Sequence, residues 1–309
     1  MFPSATAPLD EAERQRALDA LHIVGSLPEP AYDDIVKVAA AVCGTPMALV
    51  TLIDRDRQWF KARTGLEGIQ TERNVAVCDH AIRQPTQLME VGDLTQDARF
   101  ADNPVLKDIG ARFYAGMPLV TDSGAAVGSV CVVDLNPREL NGTQREALQA
   151  LARLTMTLME SRSRERDQQV AAILDHGVAE EAAAAPDAAG AYSVVILELQ
   201  DLTELAQRLG ERGLDRQLQQ LDHTLEQCLQ PERGDSLNRV SGSGEFIAVL
   251  GSADADDTLG RFKQAAREAT QNAGATLLLG AASTRTGEST TAVFLRADQA
   301  LSAAKDALR

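Results

Sequence analysis

Apolar residues return at helical intervals near the start of the chain, where Ala17, Leu18, Leu21 and Ile23 predict a helix over residues 10–21. A turn around Pro28 and Pro30 leads into a second predicted helix over 32–43, which Gly44-Thr-Pro46 stops. Met47-Ala-Leu-Val-Thr-Leu-Ile53 is a run of strand formers, and Asp54-Arg-Asp56 turns it back into Gln58-Trp-Phe-Lys-Ala62, a hairpin. Two more strands, 112–119 and 126–134, flank the turn signal Thr121-Asp-Ser-Gly124 and are expected to pair. After Thr143, the positions Leu148, Leu151, Leu154, Leu158 and Met159 fall three or four apart, whereas 162–169 is almost wholly polar. This predicts a helix over 143–178 that begins amphipathic and continues as a solvated connector.

The pattern changes at Glu180-Glu-Ala-Ala-Ala-Ala-Pro-Asp-Ala-Ala-Gly190, a low-complexity stretch that reads as a flexible linker over 179–191. Beyond it come a buried-strand run at 192–198 and a helix over 202–228. A hairpin at 236–250 has Ser-Gly-Ser-Gly at its tip; a helix (257–272), a strand (275–281) and a last helix (293–308) follow. The sum is a two-domain α+β or α/β protein, the second half having a mixed sheet with helices packed on it.

A chain of 309 residues has the length of two ordinary domains, and a hydrophobic content of 44% supplies a core for each. A formal charge of −15 repels polyanions, which disfavours nucleic acid or an anionic membrane surface as partner. The cysteines Cys43, Cys78, Cys131 and Cys228 are scattered, with neither a CxxC pair nor metal-ligand spacing. Free thiols, no signal-peptide pattern and no clean apolar run of membrane-spanning length together point to the cytoplasm.

Several motifs carry a resemblance across residues 11–162. They are Ala48-Leu-Val-Thr-Leu-Ile-Asp54 with Arg57-Gln-Trp-Phe-Lys-Ala62, Cys78-Asp-His-Ala-Ile82, Asp97-Ala-Arg-Phe-Ala-Asp-Asn-Pro104, Arg112-Phe-Tyr-Ala-Gly-Met-Pro-Leu119 and Gly128-Ser-Val-Cys-Val-Val-Asp134. In that order they resemble a GAF domain of the bacterial subgroup that precedes signalling output domains. The resemblance implies an antiparallel sheet flanked by helices, with a pocket that in many members holds a small ligand. Trp59, Lys61, Cys78, His80 and Tyr114 are the candidates for that pocket, being polar tips on an apolar wall. Cys78 and His80 have no third ligand nearby, so a metal or a covalent chromophore is not expected.

Residues 192–309 resemble a GGDEF domain, the catalytic unit of diguanylate cyclases. The family pattern Asp-x-Asp-x-Phe-Lys-x-x-Asn-Asp-x-x-Gly-His-x-x-Gly-Asp falls on residues 198–215 with its spacing kept. The resemblance makes Glu198 the counterpart of a magnesium-ligating Asp and Asp215 a guanine contact. The phosphate-contacting Lys has become Thr203, and the guanine-reading Asn has become Ala206. The signature hairpin reads Arg239-Val-Ser-Gly-Ser-Gly-Glu-Phe246, one residue longer than the family's. Within it Glu245 keeps a metal-binding carboxylate, and Gly242 and Gly244 supply the amides that cradle phosphates in the family. The closing helix keeps the cations Lys305 and Arg309. At the family's product-feedback site Glu232 replaces Arg, with Arg233 one place along and Asp235 retained.

The resemblance therefore implies a degenerate cyclase: a vestigial magnesium site at Glu198 and Glu245, vestigial nucleotide contacts, and no cofactor beyond magnesium accompanying GTP. Three functions stay open. One is a GAF sensor coupled to an inactive GGDEF-like module that binds other signalling proteins. The second is an active cyclase joining two GTP into cyclic di-GMP, and the third is a GTP-binding regulator without turnover. The leucine stripe of the long helix also predicts a homodimer.

Overall fold

The first helix, α1 (Glu11–Asp19), begins at Asp10, whose carboxylate accepts the Glu13 N–H at 2.7 Å. α2 (Pro30–Cys43) starts on a proline and ends at Gly44. A computed structural model describes residues 10–184, 191–251, 255–273 and 276–307. After α2 come β1 (Met47–Ile53), β2 (Arg57–Thr64), β3 (Gln70–Glu72), α3 (Val77–Ala81), β4 (Met89–Val91), α4 (Pro104–Asp108), β5 (Phe113–Val120) and β6 (Ala126–Asp134). The strands form one antiparallel sheet in the order β3-β2-β1-β6-β5-β4. Both faces of this sheet are covered, which is why β1 and β6 read as continuous apolar runs rather than alternating ones. Val50, Leu52 and Trp59 face Leu18, Tyr32 and Val36, whereas Leu49, Ile53, Phe60 and Cys131 face the side of α3.

α5 (Gly142–Ala184) is a single helix of 43 residues. Its leucine stripe divides: Leu148 and Leu151 join Met156 and Met159 in the core beside α1 and α2, while Leu154 and Leu158 remain 57% and 36% exposed. The chain separates into two compact units at residues 163 and 164, so the second part of α5 belongs to the C-terminal unit. There Arg166, Val170 and Leu174 are buried, which corrects the expectation of a solvated connector. Residues 179–184, expected as flexible linker, are helical; the remainder of that linker, 185–190, lies outside the described residues.

The C-terminal unit continues with β7 (Tyr192–Leu199), α6 (Leu202–Leu209), α7 (Glu211–Glu226), β8 (Ser236–Arg239), β9 (Glu245–Gly251), α8 (Ala255–Ala273), β10 (Leu277–Ser283) and α9 (Thr290–Ala307). The helix expected over 202–228 is broken at Gly210, which takes φ 71°, ψ 164°, a conformation open to glycine and closed to side-chain-bearing residues. The sheet order is β10-β7-β9-β8, and all of its described pairings are antiparallel. Val194, Ile196, Ile247 and Val249 project from one face onto Val170 and Leu174 of α5 and Val293, Ala297 and Leu301 of α9. Among the described residues, no helix is long and apolar enough to cross a membrane.

Candidate functional site

In the C-terminal unit, register places Glu198 of β7 directly opposite Glu245 of β9. Cross-strand partners share a face, so the two carboxylates lie on the side packed by α5 and α9. Each already has a cation. Lys305 of α9 donates to Glu198 Oε2 at 2.6 Å, and Gln200 Nε2 donates to Oε1 at 3.1 Å. Arg166 of α5 grips Glu245 with two nitrogens of its guanidinium, Nε to Oε2 at 2.9 Å and Nη2 to Oε1. This bidentate pair is nearly dry, Glu245 being 6% exposed and Arg166 8%. Burial pushes the Glu245 carboxyl up, against the opposing pull of Arg166. Sequence reasoning missed Arg166. Its signal was the spacing Arg166, Val170, Leu174, a four-residue repeat that marks one face of a helix.

The hairpin tip turns inward on itself. The Ser243 N–H donates to Val240 O at 3.2 Å and the Ser243 hydroxyl to the same oxygen at 2.8 Å. The Glu245 N–H donates to Ser243 Oγ, and the Ser241 N–H to Gln169 Oε1 at 3.0 Å. Three of the tip's amides are thus spent on partners within the protein, two in the hairpin and one on α5. Gly244 is buried and its carbonyl accepts the Leu199 N–H, whereas Gly242 is exposed at φ 69°. Asp215 is exposed on α7, Thr203 is buried in α6, and Ala206 is partly buried. Arg309 lies outside the described residues. Asp235, retained from the feedback motif, is a structural staple: it accepts from the N–H groups of Gln230 and Gly251 and from the Thr258 hydroxyl. Glu232 and Arg233 stand exposed beside it.

In the N-terminal unit the five pocket candidates divide between the two faces of the sheet. Trp59 and Lys61, two apart on β2, point to the α2 face, where Trp59 is core. The Lys61 ammonium donates to Ser26 Oγ, Leu27 O and Glu29 Oε1 at 2.7–2.8 Å and lies 4.9 Å from the centre of the Tyr32 ring. Its burial lowers its pKa to about 8. Cys78 and Tyr114 are on the opposite face, with the Tyr114 hydroxyl donating to Cys78 Sγ at 3.3 Å. His80 is also on α3, but two residues along a helix point apart, and it packs T-shaped on Phe100 instead, with ring centres 4.9 Å apart. Among the described residues, no group of three or more His, Cys, Asp or Glu side chains is placed to hold a metal.

Residues 28–158 match the family described as GAF domain, and residues 171–309 match the family described as diguanylate cyclase, GGDEF domain. A cyclic di-GMP phosphodiesterase of Pseudomonas aeruginosa is 39% identical over 151 residues, covering 48% of this chain and 26% of that protein. The match thus spans about a quarter of that relative's length. Among solved structures, the GGDEF domain of DgcB from Caulobacter crescentus in complex with c-di-GMP is 19% identical, with a TM-score of 0.38 over 44% of this chain and 84% of that one. The blue-light absorbing form of the Thermosynechococcus elongatus PixJ GAF domain is 14% identical, with a TM-score of 0.39 over 54% of this chain and 99% of that one.

Proposed function

Because the chain carries a GAF domain followed by a GGDEF domain, we propose that it is a cytoplasmic signalling protein of a cyclic di-GMP system, whose GAF half takes an input and whose GGDEF half acts by binding other signalling proteins rather than by making cyclic di-GMP. The observation that carries this reading is the pairing of both candidate metal ligands, Glu198 with Lys305 and Glu245 with Arg166. Magnesium takes ionised oxygen donors with room for water and phosphate around the ion. Freeing Glu245 for that role means breaking a buried ion pair, and stranding one partner of such a pair costs about 3–5 kcal/mol.

Further support comes from Thr203 and Ala206, which replace a phosphate-binding charge and a base-reading amide, and from hairpin amides engaged within the protein. The name of the Pseudomonas aeruginosa relative sets that protein in cyclic di-GMP turnover, which supports the same signalling system here. The protein acts as a homodimer in this reading, through the exposed Leu154 and Leu158 of α5. The test is incubation of the full-length protein with millimolar GTP and magnesium, followed by chromatography of the products. No cyclic di-GMP is expected. Turnover that vanishes in Glu198→Gln would establish an active cyclase instead.

A further inference from the structure

On the sheet face opposite α2, two thiols sit with their sulfurs 3.7 Å apart: Cys78 of α3 and Cys131 of β6. Their neighbours are not all apolar. The Tyr114 hydroxyl donates to Cys78 Sγ, and the hydroxyls of Thr51 and Ser129, 3.3 Å from one another, belong to the same sheet. Tyr114 reaches this spot because Gly116, the cross-strand partner of Cys131, has no side chain: a Cβ there would fall 2.2 Å from the Tyr114 oxygen. A glycine next to one thiol therefore makes room for a phenol that serves the other.

The electrostatics separate the two sulfurs. The hydrogen bond from Cys131 holds the Cys78 thiol below the ordinary thiol range, while the bond to Cys78 and burial hold Cys131 well above it. One sulfur is set up as the nucleophile and the other as the thiol that resolves it. Cys43 and Cys228 have no such arrangement, and burial pushes both up.

We propose that Cys78 and Cys131 are a peroxide-oxidisable dithiol that closes into a disulfide and gives the N-terminal domain a redox input. The Cys78 thiolate attacks one oxygen of hydrogen peroxide; the O–O bond breaks, and the departing hydroxide takes a proton to leave as water. Cys78 is now a sulfenic acid. Cys131 sulfur attacks Cys78 sulfur, the S–O bond breaks, and the expelled hydroxide carries off the Cys131 proton as a second water. Two thiols are oxidised by two electrons and one peroxide is reduced.

Closure shortens the sulfur separation from 3.7 Å by about 1.7 Å, to the ~2.05 Å of a disulfide. Side-chain rotation of both residues shares that movement. Access comes through α3, a helix of five residues, since so short an element opens at lower free energy than the sheet beneath it. The bond tethers α3 to β6 and withdraws the sulfur that Tyr114 binds. The inference rests on the N-terminal domain alone and is independent of GTP turnover in the other half.

The experiment uses reduced full-length protein exposed to hydrogen peroxide, quenched with N-ethylmaleimide in denaturant, digested and mapped by mass spectrometry. The expected result is joint loss of alkylation at Cys78 and Cys131 with a cross-linked peptide pair lighter by two hydrogens, while Cys43 and Cys228 stay fully alkylated. In Cys131→Ser, dimedone is expected to label Cys78 as sulfenic acid. Full alkylation of both residues, over-oxidation of Cys78 without a cross-link, or a cross-link through Cys43 or Cys228 would each overturn the proposal. Should the serine variant fail to fold, the wild-type map alone decides.

Discussion

Replacing Arg166 with Met keeps most of the side chain's length and apolar stem but removes the charge that faces Glu245. The carboxyl then has burial without its cation, and burial already raises its pKa. Left charged, it carries the penalty of a stranded buried ion, about 3–5 kcal/mol. Taking up a proton is the other route: from an ordinary value of 4.5, neutralising it at pH 7 costs about 3.4 kcal/mol at 1.36 kcal/mol per pH unit. The two routes agree on a loss near 3 kcal/mol. The second also fixes the pH dependence, because a carboxyl whose folded pKa is raised destabilises the fold as pH rises from its unfolded value towards its folded one. At pH 5 the cost of protonation falls to under about 1 kcal/mol, so most of the deficit should disappear. The assay is guanidinium unfolding read by two probes. Trp59, the single tryptophan, reports the N-terminal unit by fluorescence, while far-ultraviolet circular dichroism reports both. Arg166→Met should move only the circular dichroism component that fluorescence does not follow, and adding Glu245→Gln should restore much of the loss. A deficit below about 1 kcal/mol at pH 7, or one that is the same at pH 5, would refute the reasoning.

The divided leucine stripe makes a second prediction: Leu154→Glu with Leu158→Glu should halve the mass seen by light scattering with little loss of stability, whereas Leu151→Glu should unfold the N-terminal unit, placing a charge in its core. A mass of one chain for the wild type, or a mass unchanged by the first pair, would refute it. Lys61 supplies a third. Its pKa is lowered from 10.5 to about 8, so the unfolded chain holds the extra proton between those values, and stability should rise with pH across that window by up to about 3 kcal/mol. Fluorescence-monitored unfolding at pH 8 and pH 10 checks it, and wild type and Lys61→Met sharing one slope would rule it out.

The strands β1, β2, β5, β6, β7 and β9 were legible because each is a dense run of β-formers bounded by a turn signal. The edge strands β3 and β4, three residues each, are too short to show any period, and Gln70-Thr-Glu72 has no apolar face to reveal. The break at Gly210 was hidden because Leu205, Leu209, Leu214 and Leu218 keep near-helical spacing across it. The acids Glu198 and Glu245 were found by motif, and so was Lys305, though as a phosphate contact and not as the partner of Glu198; Arg166 was not, since it lies 79 residues from Glu245 in a segment that reads as polar. The pocket candidates divide by facing: alternation along β2 sends Trp59 and Lys61 to one side, and nothing in a linear motif says that Cys78 and Tyr114 come to the other. Cys131, by contrast, lies within the motif Gly128–Asp134, and only the fold could bring it to Cys78.

One helix supplies side chains to two cores, and this constrains how the protein can be divided or inherited in pieces. Cutting at residue 192, where the sequence pattern of the second domain starts, would remove Val170 and Leu174 from beneath Ile196 and Val249 and leave Glu245 without Arg166. A fragment begun there would carry an uncovered apolar sheet face, the kind of surface that self-associates. The heritable module is therefore longer than its strands suggest: it starts within α5 ahead of Arg166, and recombination that joins this unit to a different N-terminal domain must splice within a helix and not within a loop.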